Sequence, residues 1–480
     1  MSIRFFLEIP DDSPAMTTIR LWVLRLGLFL LRQPIPEADD WIFLIDHTCE
    51  LGPGKVLVIL GVRQSQLQPG AYNLAHQDVE LLHLEPMDTS TGDLMYGILT
   101  DLSDRVGVPR QIISDHGSDL VKAERLFVAD HPGVRVTWDI THCMARFLLA
   151  EIATDEHWQR FRQACSETRN TVQQTPLRFL APPSQKGASR CEHFDRLVLW
   201  GDDLLRFAER ADFHQISIRH QCDSEARDQL KDQLDGTVLK LLEPLQERVF
   251  TERQGLEQTL RETLDADTFH TWSDKIIEAS DCGRRMFMER YGWVCEYQDD
   301  LRLCYCPIVR MVYAAEKLVK REGLHKETAT RFREHLDQAA EIIDARPVAA
   351  EPSTHTDRVA KLESRIVGYM NEQSCGCPID ESLLGTSDVL ESLFGKYKTY
   401  SSRSSFKELG ASLLLLPVLT ARLTSDMIRN ALEAVSVVAL KQWVESNIGI
   451  TALAQRIKAF RRPKPTENRH EQNTVSTAKI

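Results

Sequence analysis

The sequence predicts an α/β fold: a mixed sheet flanked by helices and interrupted by a large all-α insertion. Three observations predict it. Apolar residues in 41–138 alternate between short strand-like runs and helical spacing. From residue 142 to about 348 the pattern is almost wholly helical, with long charged faces. The 480 residues exceed one ordinary core, so two or three domains are expected.

Taken in order, residues 17–27 have helical apolar spacing and end on Gly27, which reads as one amphipathic helix stopped by a glycine. Pro34 and Pro36 mark 33–40 as a linker. WIFLID at 41–46 and KVLVILGVR at 55–63 are β-branched runs separated by LGPG, the signature of two adjacent strands and a turn. A third strand is expected at 79–84, a helix at 90–106, and a buried strand, QIIS, at 111–114 ending on Asp115. Residues 120–129 read as helix and 134–138 as a fifth strand ending on Asp139. A hairpin start followed by βαβ alternation implies a mixed sheet. Breaks are expected at 181–183 (Ala-Pro-Pro), at Gly201 and across 345–356, and a last helical block at 388–460. The segments are therefore an N-terminal helical piece (1–38), the first part of the sheet core (39–150), the helical insertion (151–380), C-terminal helices completing the core (381–460) and a polar tail (461–480) expected to be disordered.

Hydrophobic residues at 42% and charged residues at 27% match a water-soluble globular chain. The apolar runs at 21–31, broken by Arg25, and at 413–419 fall short of the ~20 residues that span a bilayer. Residues 1–15 lack a basic start and a small-residue cleavage site, so a cytoplasmic protein is expected. Eleven unevenly spaced cysteines read as small buried hydrophobes. The pairs Cys304/Cys306 and Cys375/Cys377 have one-residue gaps, tighter than structural zinc sites use. The net charge of −12 runs against the basic footprint of a nucleic-acid binder, so any such surface has to be local. Two local basic stretches exist: 396–407, with four Lys or Arg, and 456–464.

Asp46 and Asp115 each close an apolar strand, a costly position for a carboxylate unless something binds it. On neighbouring parallel strands the two converge on one sheet edge, where hard-oxygen ligands suit Mg2+ or Mn2+. The competing reading is that each aspartate builds the turn that follows it, as Asp does in many loops. A third acid is sought downstream. In GTSDVLESLFGKYK (385–398), Glu391 and Lys398 are seven residues apart and share a helix face. Asp388-x-x-Glu391 also fits a capping-box variant. Glu296 is a rival acid, but a lone glutamate in a helical region is ordinarily solvated surface.

These residues carry a resemblance. ISDHGS around Asp115 resembles the second-aspartate D-x-G motif of integrases and insertion-sequence transposases, and IFLIDHT around Asp46 is similar to their first-aspartate strand. The E-x6-K spacing of Glu391 and Lys398 resembles their third motif, although Leu384 and Ser387 stand where one large group has Tyr and Arg. The resemblance covers about a third of the chain, 41–140 and the segment around Glu391. It implies a ribonuclease-H-like core and a DDE transposase. Asp46, Asp115 and Glu391 would hold two Mg2+ (or Mn2+) ions for DNA strand cleavage and transfer. Lys396, Lys398 and Arg403 would contact the DNA backbone. The implied partners are transposon ends and target DNA, with a homodimer in the synaptic complex. Related transposases often show an Asp and a His near Asp139 and His142. Asp139 has two readings, as the cap of the next helix or as metal support.

The helix at 17–27 also has two readings. It resembles the end of a helix-turn-helix DNA-binding domain, of which only one helix is present, or it is an amphipathic helix packed on the core. The first motivates an alternative function, a catalytically decayed remnant acting at most as a DNA-binding protein. Another nuclease of the same fold is the enzymatic alternative.

Overall fold

In a computed structural model the protein is described over residues 14–48, 55–186, 191–210, 283–342, 354–401, 409–449 and 452–460, a few single positions excepted, together with isolated positions near 270. The chain forms two compact units, Met1–Thr137 with Ser387–Ile480, and Trp138–Thr386. Arg403 and the tail at 461–480 lie outside the described residues.

The first unit is built on a five-stranded mixed sheet in the order β3-β2-β1-β4-β5. Its strands are β1 (Trp41–Thr48), β2 (Lys55–Arg63), β3 (Glu80–Met87), β4 (Gln111–Ser114) and β5 (Arg135–Trp138). β1 runs antiparallel to β2 and parallel to β4, with Ile45 opposite Ser114. The third strand begins one residue later and ends three later than its sequence pattern suggests, because β2 keeps pairing with it across a bulge at Ile59/Leu60.

Strand alternation divides the buried side chains between two faces. Trp41, Phe43, Ile45, Leu57, Ile59 and Ile112 form one core with α2 (Gly92–Val106) and α3 (Ser118–Asp130). The opposite face carries Ile42, Leu44, Val58 and Ile113, all buried, and α10 (Asp388–Ser401) packs against β1 there.

The N-terminal helix α1 (Met16–Leu31) continues through Gly27 for another turn. Gly27 does not stop the helix; it lets another backbone approach. A Cβ there would sit 1.9 Å from the Leu414 carbonyl oxygen. Leu24, Leu26 and Leu28 are buried against Leu414, α12 (Ser425–Ala434) and α13 (Val437–Asn447). Arg25, which interrupts the apolar run, donates from its guanidinium to the carbonyls of Leu432 and Val435, satisfying the C-terminal end of α12. Replacing a helical glycine by alanine ordinarily stabilises by about 1 kcal/mol. At position 27 the overlap reverses the sign: Gly27→Ala is expected to destabilise the protein by about 1–3 kcal/mol. Chemical denaturation measures it, and a gain in stability would refute the close approach.

The second unit is helical. It contains α4 (Ile140–Ile152), α5 (Glu156–Val172), α6 (Phe194–Arg210), α7 (Cys306–Glu322), α8 (Thr328–Ile342) and α9 (Thr354–Gln373). Trp158, Phe161, Phe194 and Tyr305 form an aromatic centre, Trp158 and Phe194 with ring centroids 4.5 Å apart. Two ion pairs, Arg358–Asp155 at 2.8 Å and Arg365–Glu151 at 2.9 Å, clamp α9 to the α4–α5 corner. The expected break at Gly201 does not occur, since α6 runs straight through it. As at Gly27, the glycine admits a neighbour: a Cβ would press on Leu301 and Phe161 at 3.0–3.1 Å. The break at 181–183 is present between a short 3-10 turn ending at Leu180 and α6. Among the described residues no helix is long and apolar enough to cross a membrane.

Candidate active site

Asp46 and Asp115 occupy the positions immediately after the last aligned pair of the parallel strands, Ile45 opposite Ser114. Alternation sends both to the face opposite α2 and α3, the face that α10 covers. Both are half-buried. Asp46 Oδ1 accepts the His47 amide at 2.6 Å, and Asp115 Oδ1 accepts the Gly117 amide at 2.9 Å. The turn-building role is therefore real for Asp115, whereas Asp46 and His47 both belong to β1, opposite Val58 and Leu57.

Asp115 is followed by a tight reversal. Ser114 Oγ accepts the His116 amide at 3.2 Å, His116 takes a left-handed φ of 58°, and Gly117 precedes the first turn of α3. Short polar turns of this kind are how the chain leaves a buried strand and enters a helix directly.

On the other sheet face, at the same edge, His47, Ser90 and Asp119 form a network. Ser90 donates to Asp119 Oδ2, and its Oγ lies 3.2 Å from His47 Nε2. Because the Ser90 proton points to Asp119, His47 Nε2 is the donor to Ser90. Burial lowers the His47 pKa, and Lys55 acts in the same direction against the pull of Asp119 and Asp115. For Asp119 burial acts upward, but the bonds from Ser90 and the neighbouring His47 outweigh it and hold the carboxyl below its ordinary range.

Glu391 stands in the first turn of α10, half-buried, with its Oε1 shielded from solvent. Lys398 is exposed one face-repeat further on. Lys396 is exposed too, and its Nζ donates to His76 Nδ1 at 2.9 Å while His76 Nε2 meets Ser392 Oγ at 3.1 Å. Burial together with the Lys396 charge lowers the His76 pKa, in keeping with a neutral ring that accepts from the ammonium. Asp139 and His142 belong to the second unit. Asp139 is buried and caps α4, its Oδ1 accepting the His142 amide at 2.8 Å, which is the capping geometry.

No protein-family model matches the chain, and no curated protein matches it. Its chemistry has to be read from the residues themselves. Among the described residues no three His, Cys, Asp or Glu side chains form a group that could hold a metal ion, so Glu391 is not gathered with Asp46 and Asp115 into a ready three-ligand site. The two aspartates by themselves fit magnesium, which commonly takes one or two carboxylates and completes its shell with water and substrate phosphate.

Residues at this edge that the sequence reading passed over are His47, Ser90, Asp119 and Glu124. Glu124 had a signal: it interrupts the buried stripe Leu120, Ala123, Phe127 of α3, where an apolar side chain is expected. Burial raises its pKa to about 7, with Asp115 adding to the rise and a bond to Ser114 opposing it.

Proposed function

We propose that this protein is a DDE-type transposase with a ribonuclease-H-like core, cutting and joining DNA with divalent-metal assistance. One observation carries the proposal: Asp46 and Asp115 each follow the last parallel pair, Ile45 and Ser114, on the same sheet face, Asp115 just past the end of β4 and Asp46 still inside β1, which runs on to Thr48 rather than ending at Asp46. The strand order β3-β2-β1-β4-β5, with β1 the switch between antiparallel and parallel neighbours, supports it. So does a helix bearing Glu391 packed against β1 on that face.

Asp46 and Asp115 would hold magnesium or manganese, supplying activation of a water or 3′-hydroxyl and stabilisation of the leaving oxygen; Glu391, not gathered with them, is the proposed third carboxylate. The chain's own contribution is orientation and charge. Hydrogen bonds donated by the His47 and Gly117 backbone amides orient the carboxylates of Asp46 and Asp115. Lys396 and Lys398, exposed on α10 within two turns of Glu391, would attract phosphate by their charge. Asp139 belongs to the capping of α4 on its geometry and needs no part in the reaction.

The test is strand cleavage by the purified full-length protein on duplex DNA taken from the sequences flanking its gene, with and without Mg2+ or Mn2+. Metal-dependent nicking followed by joining to a second duplex is the expected result. Nicking without joining would make it another nuclease of this kind. DNA binding without cutting at any metal concentration would replace the proposal with a non-catalytic DNA-binding role.

A further inference from the structure

Glu124 presents a problem that packing alone does not solve. It is 3% exposed among Leu120, Ala123 and Phe127. One carboxyl oxygen is bonded to the Ser114 side chain, and the other, Oε1, is buried without a hydrogen-bond partner. A leucine or methionine would fill the same space at no desolvation cost. What the carboxyl adds is a connection. Ser114 is the last residue of β4, and its hydroxyl also accepts the His116 amide at 3.2 Å. His116 is the left-handed residue of the turn, and that turn delivers the Gly117 amide to Asp115 Oδ1 at 2.9 Å. A chain of three bonds therefore runs from the middle of α3 to the side chain of Asp115.

We propose that Glu124 is a positioning residue for Asp115: by fixing the Ser114 hydroxyl it holds the His116 amide, and so sets the left-handed turn that aims the Asp115 carboxylate. That the carboxylate is aimed at a metal-bound phosphate rests on the function proposed above; the positioning itself does not. Glu124 cannot join the site directly, because alternation turns Ser114 and Asp115 to opposite faces of the sheet. It acts through the backbone. Burial keeps much of its population protonated near neutral pH, which lets the carboxyl donate to Ser114 as well as accept from it.

Three full-length variants test this: Glu124→Met, similar in volume and without the bond; Glu124→Gln, which retains a partner for Ser114; and Glu124→Leu, also without the bond. Each is measured by thermal melting, by hydrogen–deuterium exchange of the peptide covering 114–119, and by Mg2+-dependent nicking. The expected result for Glu124→Met is a melting temperature no lower than wild type. Exchange at the His116 and Gly117 amides should be faster by about tenfold, and nicking slower by about 10–100-fold, the usual range for loss of a supporting hydrogen bond. Glu124→Gln restores both. Unchanged exchange in Glu124→Met, or equal behaviour of the Met and Gln variants, overturns the proposal. Should Glu124→Met fail to fold, Glu124→Leu takes its place: faster exchange at His116 than in Glu124→Gln supports the proposal and unchanged exchange overturns it. If wild type itself does not nick DNA, the transposase reading falls and the exchange data alone judge the positioning.

Discussion

Asp46→Asn and Asp115→Asn are each expected to lower metal-dependent strand cleavage by about 1000-fold, roughly 4 kcal/mol of transition-state stabilisation, while leaving the melting temperature within about 2 °C of wild type. The contrast between the two readouts is what makes the test sharp. Asparagine keeps an oxygen that can accept the His47 or Gly117 amide, so the local backbone at both positions survives. What disappears is one negative charge at the place where a divalent cation would bind. If the aspartates served only the local backbone, the substitutions would be silent in both assays. Glu391→Gln is the companion. A loss matching that of the aspartates would bring α10 into the reaction, and wild-type cutting would leave a two-carboxylate site.

The second large effect concerns pH. Glu124 has its folded pKa raised from the ordinary 4.5 to about 7, burial being the main cause. A carboxyl raised in this way binds its proton more tightly folded than unfolded. Its contribution to stability is complete below the unfolded value and is lost as pH climbs through about 7. The loss at pH 8.5 is at most about 3.5 kcal/mol, from a rise of 7 − 4.5 = 2.5 and ~1.4 kcal/mol for each unit. Glu124→Gln cannot ionise. In metal-free buffer it is expected to melt about 5 °C or more above wild type at pH 8.5 and level with it at pH 4.5. Every other titrating group is common to the two proteins, so their difference isolates this carboxyl. A gap that stays constant across the range would show that Glu124 is ionised in the folded state throughout.

Much of the sheet was legible because strands announce themselves by period and by what ends them. Trp41–Ile45 is an unbroken apolar run and Gln111–Ser114 a buried one, each followed by an acid; both are strands, with Asp115 just past the end of β4, while β1 carries on through Asp46 to Thr48 because β2 keeps pairing with it. The glycines misled, for one physical reason. Gly27 and Gly201 look like helix punctuation, yet each sits inside a helix against a close neighbour, a backbone carbonyl that excludes a Cβ at Gly27 and side-chain ends that would have to give way slightly at Gly201. That use of glycine depends on a partner hundreds of residues away, Leu414, or about a hundred, Leu301, and leaves no local trace. The polar network of His47, Ser90 and Asp119 was hidden similarly, its members coming from three elements. Arg25 shows the reverse case. A charge inside an apolar run marks a helix end elsewhere that needs a donor.

The first unit is assembled from two stretches of chain separated by the 249 residues from 138 to 386. During synthesis at roughly 5–20 residues per second, the ribosome spends about 12–50 s making those residues before Leu390, Leu393 and Leu414 emerge. Throughout that interval β1 lacks the helix α10 that packs on it, and Leu24, Leu26 and Leu28 lack the C-terminal residues that bury them. The nascent sheet is therefore expected to engage holding chaperones, and a chain stopped between Trp138 and Ser387 is expected to carry half of the first unit without the helices that complete it.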